Sequence, residues 1–258
     1  MEIIFDNATC GYNNIPVFEN LSFNISTNEA ICILGKNGVG KTTIFKTLLK
    51  EIPIIYGDIK INGTSIKDYN IKDLSKRISY IPQAKSYSYS FRVIDMVLMG
   101  CANSFNYFSV PSDKDYNQAM EILKSLDMES LATKNYSNLS GGEQQMVLAG
   151  RAVMQNSNFI IMDEPASNLD FSNQKKLIDL IKNQKANGAG VLMISHMPNH
   201  AFACCEKSLL LCKNGKYMFG NTNDIITAEN LSNAFDVEMN IYSNSNNDVA
   251  TKTCGIVF

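Results

Sequence analysis

The octapeptide Gly35-Lys36-Asn37-Gly38-Val39-Gly40-Lys41-Thr42 constrains this chain more than any other feature. It has the form of a phosphate-binding loop: a glycine, four residues, then Gly-Lys-Thr. Glycines let backbone N–H groups turn inward around phosphate oxygens, and the helix that follows presents its positive end to the same anion. Lys41 is then placed to reach the β and γ phosphates, and the Thr42 hydroxyl to ligate Mg²⁺. Such a loop must lie between a strand and a helix. Residues 30–34, AICIL, read as a buried strand, and 41–52 read as a helix with Ile44, Phe45, Leu48 and Leu49 on one face.

The same alternation continues along the chain. Strands are expected over 3–8, 21–25, 78–81, 159–162 and 191–194, and helices over 92–99 and 173–184. Ser112 and Asp113 can cap a further helix, in which Tyr116, Ala119, Met120, Leu123 and Leu126 recur at helical spacing. Asn62-Gly63 and Asn214-Gly215 each mark a hairpin turn. Strands separated by helices imply an α/β fold with a largely parallel sheet. Residues 84–112 change character, becoming rich in Ser, Tyr, Phe and Asn, so about 86–150 is expected to form an inserted helical subdomain. That leaves a core of about 1–85 and 155–225 and a helical tail of about 226–258, whose polar stretch 243–253 is expected to be mobile.

Composition narrows the partners. Hydrophobic residues make up 45% and charged residues 19%, enough apolar content for a core and against disorder. The formal net charge of -2 offers no basic excess for a nucleic-acid backbone, so no nucleic-acid partner is expected. The seven cysteines show no metal or redox spacing and read as reduced, mostly buried thiols. The first residues do not read as a signal peptide. No apolar run reaches the ~18 residues that span a bilayer, so any membrane function needs another chain to do the spanning.

Other residues gain meaning from the phosphate loop. Asp163-Glu164 closes the strand FIIM, where an acidic pair faces the ligand crevice of a parallel sheet. Asp163 is expected in the Mg²⁺ shell and Glu164 as the general base that polarises water. His196 ends the strand VLMIS and can donate to a γ-phosphate, whereas His200 reads as a surface or capping residue. Leu139-Ser140-Gly141-Gly142-Glu143 opens a helix to Met154, either as a second anion-binding helix start or as an ordinary capped N-terminus.

Together these segments resemble the ATP-binding-cassette ATPases, a family with a P-loop NTPase core, an antiparallel β subdomain and an inserted helical subdomain. LSGGE at 139–143 is similar to its signature sequence, FIIMDEP at 159–165 to its second nucleotide motif, and SNLD at 167–170 to the loop that crosses its dimer interface. The resemblance implies ATP hydrolysis with Glu164, His196 and Lys41 as catalytic residues and Thr42, Gln83 and Asp163 around Mg²⁺. It implies nucleotide contacts from Tyr12, Gly35, Asn37, Gly38, Gly40, Lys41, Thr42, Thr43, Gln83, Ser140, Gly141 and Gly142, with Tyr12 (in GYNNIPVFENLSF) stacking on adenine. It also implies a head-to-tail dimer with a second copy of the chain, transmembrane permease subunits, and indirectly a substrate-binding protein, at the cytoplasmic face of the cell membrane. Ala166, Asn168 and Met146 depart from the usual pattern at positions that are not catalytic.

VIDMVLMG at 93–100, LDFSNQ at 169–174 and the tail ITAENLSNAFDVEMNIY at 226–242 resemble importers of iron chelates, haem and cobalamin, although Cys101 stands where an arginine often follows the VLMG glycine. An iron complex is therefore the expected cargo. A soluble cassette ATPase of iron–sulfur cluster assembly, an importer ATPase for another metal and a non-hydrolysing regulatory cassette are the rival readings. Tyr87, Tyr89, Phe91, Phe105, Tyr107 and Phe108 are expected to line a permease-docking groove in part.

Overall fold

A computed structural model describes residues 1–83, 90–104, 110–244 and 251–257. In chain order its main elements are β1 (Glu2–Tyr12), β2 (Ile15–Ser26), β3 (Ala30–Leu34), α1 (Lys41–Leu48), β4 (Ile54–Ile61), β5 (Thr64–Ser65), α2 (Ile71–Ser75) and β6 (Ile78–Ile81). Four helices and two strands follow: α3 (Val93–Leu98), α4 (Asp113–Ser125), α5 (Gly141–Met154), β7 (Phe159–Asp163), α6 (Phe171–Ala186) and β8 (Gly190–Ser195). The chain continues through α7 (Pro198–Cys204), β9 (Lys207–Leu211), β10 (Tyr217–Asn221), α8 (Thr222–Ile225), α9 (Ala228–Phe235), β11 (Met239–Asn244) and β12 (Thr251–Ile256).

The central sheet has the order β10-β9-β3-β8-β7-β6. Its neighbours pair in parallel except at the β9–β10 edge, which is antiparallel. A second sheet, β2-β1-β4-β5, is antiparallel throughout. The fold is thus α/β, with a largely parallel sheet, an antiparallel sheet and packed helices. Asn62 and Gly63, both at positive φ (50° and 79°), turn β4 into β5, and Asn214 at φ 60° lies in the turn between β9 and β10.

Apolar runs form the central strands because both faces of that sheet are covered. Ile31 and Ile33 of β3, Phe159 and Ile161 of β7, and Leu192 and Ile194 of β8 point into one core with Ile44, Phe45 and Leu48 of α1 and the antiparallel sheet. The alternate residues, Cys32, Ile160, Met162, Val191 and Met193 among them, enter a second core with helices α3 to α7. Alternation at period two therefore hides inside a continuous hydrophobic run.

Three expectations need correction. The helix after the phosphate loop ends at Leu48, not Ile52. Lys50 lies at φ 59°, Glu51 N–H donates to Lys46 O at 2.8 Å and Lys50 N–H to Thr47 O at 3.1 Å. That is a Schellman closure with lysine where glycine is usual, so the customary glycine marker is missing. The tail is only partly helical: after α9, strands β11 and β12 pair antiparallel from Met239↔Ile256 to Asn244↔Thr251. The described residues of the stretch expected to be mobile, 243–244 and 251–253, lie in that hairpin, which packs on α7. Met239 is buried and Ile241 and Cys254 pack against the helical core, so one apolar face anchors an otherwise polar segment. Third, His200 is neither superficial nor a cap; it is buried at 6% exposure in α7.

Candidate nucleotide site

Parallel pairing brings the C-terminal ends of β3, β8, β7 and β6 side by side. The phosphate loop, His196, Asp163-Glu164 and Gln83 leave those four ends, at the edge where parallel α/β sheets bind ligands. A cavity of about 470 Å³ opens there, lined by Asn37, Gly38, Gly40, Lys41, Thr42, Thr43, Gln83, Asp163 and Glu164.

Gly40, at φ 110°, is the N-cap of α1. A Cβ there would lie 2.3 Å from Val17 Cγ1 and 2.7 Å from Phe18 Cε2, so only glycine allows the helix start to sit against β2. Lys41 folds back across the loop. Its Nζ donates to Gly35 O at 2.8 Å, Lys36 O at 3.1 Å and Asn37 Oδ1 at 3.4 Å, and lies 3.6 Å from Glu164 Oε1. The side chain is 5% exposed, and burial pulls its pKa down against the opposing pull of Glu164.

Asp163 ends β7 and is buried, which pushes its carboxyl pKa up; hydrogen bonds from Thr42 and Tyr80 oppose that shift. The Tyr80 hydroxyl donates to Asp163 Oδ2 at 3.5 Å. Glu164 lies in the left-handed region at φ 46°, and its N–H donates to Ile194 O of β8 at 3.2 Å. A non-glycine residue there costs about 1–2 kcal/mol, which the surrounding turn must hold. The same carboxylate reaches His196, with Oε2 3.6 Å from Nδ1. Gln83 Nε2 donates to Ser167 Oγ at 3.3 Å, and buried Gln145 of α5 donates to Pro82 O at 3.2 Å, steadying the segment that carries Gln83.

Tyr12 ends β1 and is half exposed, with Lys46 Nζ of α1 5.8 Å from its ring centroid. Ser140 caps α5 in a full capping box: its N–H and hydroxyl both donate to Glu143 Oε2, at 2.7 and 2.8 Å, and its Oγ accepts from Glu143 N–H at 3.3 Å. Tyr12, Ser140, Gly141, Gly142 and His196 do not line the phosphate cavity. Gly142 instead approaches the 167–170 loop, where an added Cβ would sit 3.3 Å from Asn168 O.

Phe91 is 40% exposed; Tyr87, Tyr89, Phe105, Tyr107 and Phe108 lie outside the described residues. Sequence reasoning missed Tyr80, Gln145, Ser195 and His200. A single tyrosine or glutamine in a strand or helix carries no signal until the fold supplies its neighbour.

A model of the family described as ABC transporter matches residues 18–167. The chain belongs to the ABC transporter family. It is 36% identical over 229 residues to an uncharacterized ABC transporter ATP-binding protein of Haemophilus influenzae, covering 89% of this chain and 87% of that one. It is 34% identical to a probable iron chelatin transport ATP-binding protein of Helicobacter pylori, covering 90% and 92%. Relatives named for molybdate import, manganese transport and hemin import are 34%, 35% and 28% identical. An inward-facing metal-chelate type ABC transporter matches at a TM-score of 0.86 and 30% identity, over 99% of this chain and 97% of the other. The chain is therefore an ATP-binding, ATP-hydrolysing subunit of an ABC transporter. Among the described residues no helix is long and apolar enough to cross a membrane.

Proposed function

We propose that this cassette hydrolyses ATP to drive an importer, with Glu164 as the general base. The observation that carries this reading is the cavity at the sheet edge, where Lys41, Thr42, Asp163 and Glu164 meet around a phosphate loop. Lys41 neutralises the β and γ phosphates once its loop carbonyls release it. Glu164 accepts the proton of the attacking water, and His196 holds the γ-phosphate oxygens from the far side of Glu164. The Thr42 hydroxyl, the Asp163 carboxylate and the Gln83 amide oxygen form an all-oxygen donor set, the kind that suits Mg²⁺. When bound, Mg²⁺ neutralises developing phosphate charge. Tyr12 stacks on adenine, and Gly35, Asn37, Gly38, Gly40 and Thr43 give the loop contacts to phosphate.

The signature residues Ser140, Gly141 and Gly142 act on the nucleotide of a second copy. Two cassettes close head to tail over two ATP molecules, on permease subunits at the cytoplasmic face of the membrane, with a substrate-binding protein delivering the cargo. Residues of about 86–150 serve as the helical subdomain facing the permease, about 1–85 and 155–225 as the catalytic core, and about 226–258 as an appended tail. The cargo is an iron complex, such as a siderophore or haem, or else cobalamin. The iron chelatin relative and the metal-chelate transporter support this reading.

Glu164→Gln tests the base. ATP binding should persist while phosphate release falls by ~10²–10⁴-fold, the usual worth of general-base catalysis. ATP-bound dimers should accumulate on sedimentation. Near-normal phosphate release would remove Glu164 from the role.

A further inference from the structure

The turn after β8 carries His196, and an unusual clamp closes it. α7 begins with Met197 at the N-cap, which has no side-chain acceptor to offer, and Pro198 at N1. The turn is instead tied together by the residue just before His196. Buried Ser195 Oγ accepts from Met197 N–H at 3.0 Å and donates to Met197 O at 3.3 Å, so one hydroxyl brackets the histidine on both sides. Met197 O also accepts from His200 N–H at 3.1 Å. Ser195 Oγ also lies 3.0 Å from His200 Nδ1.

A hydroxyl has one proton and two acceptor sites. One acceptor site of Ser195 takes Met197 N–H, and the proton is shared between Met197 O and His200 Nδ1 as alternative acceptors. In either tautomer His200 Nδ1 is hydrogen-bonded to that hydroxyl. His200 Nε2 is buried and has no hydrogen-bond partner among the described residues. A buried ring nitrogen without a partner is a cost to the fold. Burial depresses the pKa of His200, and nearby His196 adds to that shift.

We propose that His200 is a positioning residue for ATP hydrolysis: it fixes the Ser195 hydroxyl, and that hydroxyl fixes the turn presenting His196 to Glu164. The proposal rests on the roles given above to Glu164 and His196. His200 touches neither nucleotide nor water; it sets where His196 Nδ1 stands, 3.6 Å from the Glu164 carboxylate. A displaced catalytic group costs up to ~10²-fold in rate, so loosening the turn should lower kcat while the phosphate loop still binds ATP.

Amide substitutions separate this role from packing. In His200→Asn the side-chain amide takes the place of Nδ1 and can still hydrogen-bond to Ser195 in either role. In His200→Gln the amide reaches the place of Nε2, and in His200→Leu only volume remains. Steady-state phosphate release should show kcat about tenfold lower for Leu and Gln, KM for ATP within about twofold, and Asn within about threefold of wild type. Ser195→Ala should match Leu, and the Ser195→Ala, His200→Leu double variant should be no worse than either single change, because the two act as one unit. His196→Ala serves as the reference. If it loses turnover while His200→Leu and Ser195→Ala do not, the clamp is overturned alone. If His196→Ala keeps full turnover, the role of His196 and the clamp both fall. Equal losses for Asn, Gln and Leu, following their melting temperatures, would reduce His200 to packing. Should His200→Leu not fold, Ser195→Ala and His200→Asn still decide.

Discussion

At the residue scale, Lys41 is held ready for an anion. Its ammonium is buried among two backbone carbonyls, one amide oxygen and the Glu164 carboxylate. These are all partners that a phosphate can outbid, because a phosphate brings formal charge and several oxygens at once. Hydrogen bonds to charged groups are worth about 1.5–3 kcal/mol, and each 1.4 kcal/mol is a factor of ten in binding. Lys41→Ala should therefore raise the Kd for ATP by roughly 10- to 100-fold in a fluorescent-nucleotide titration. Glu164→Gln should leave that Kd near the wild-type value, so the two variants divide binding from chemistry. An unchanged affinity in Lys41→Ala would mean that the loop backbone alone holds the phosphates.

At the element scale, one side chain of α7 adds a pair of hydrogen bonds to the apolar anchoring of the C-terminal hairpin. Asn199 of α7 accepts from Cys254 N–H at 2.7 Å through Oδ1 and donates to Cys254 O at 3.5 Å through Nδ2, imitating one more rung of sheet. Asn199→Ala leaves those groups to water and should destabilise the docked hairpin by about 1–3 kcal/mol. Amide exchange over 251–256 should accelerate while KM for ATP holds; unchanged exchange would show that Met239, Ile241 and Cys254 suffice. This hairpin was illegible in the sequence because its apolar residues are few and its pairing partner lies beyond a polar stretch. The central strands were legible as strands, and the phosphate loop, the acidic pair and the Asn-Gly turns could be placed from local chemistry alone. The end of α1 could not, since Lys50 adopts a conformation that usually announces itself with glycine. His200 failed for the opposite reason: a polar residue among surface-like neighbours gives no sign that it turns inward to meet Ser195.

At the scale of the whole molecule, this chain is the ATP-hydrolysing subunit of an ABC transporter. The phosphate cavity contains none of the signature residues of the same chain. In the proposed reading, closure over ATP recruits a second copy, and a two-fold pair is the commonest oligomeric arrangement. In that reading, coupling to transport runs through the difference in ATP affinity between open and closed pairs. Cargo identity is thus a matter of kinship. The relatives divide between iron chelatin, molybdate, manganese and hemin. The metal-chelate type transporter matches over 99% of this chain and supports the proposed iron-complex cargo. Cells lacking this chain should therefore lose uptake of labelled iron chelate, haem or cobalamin. Restoring the chain should recover it, and Glu164→Gln should not. If those three solutes enter normally while manganese or molybdate uptake collapses, the iron-complex assignment fails and the ATPase assignment stands, because the nucleotide site is indifferent to what the permease carries.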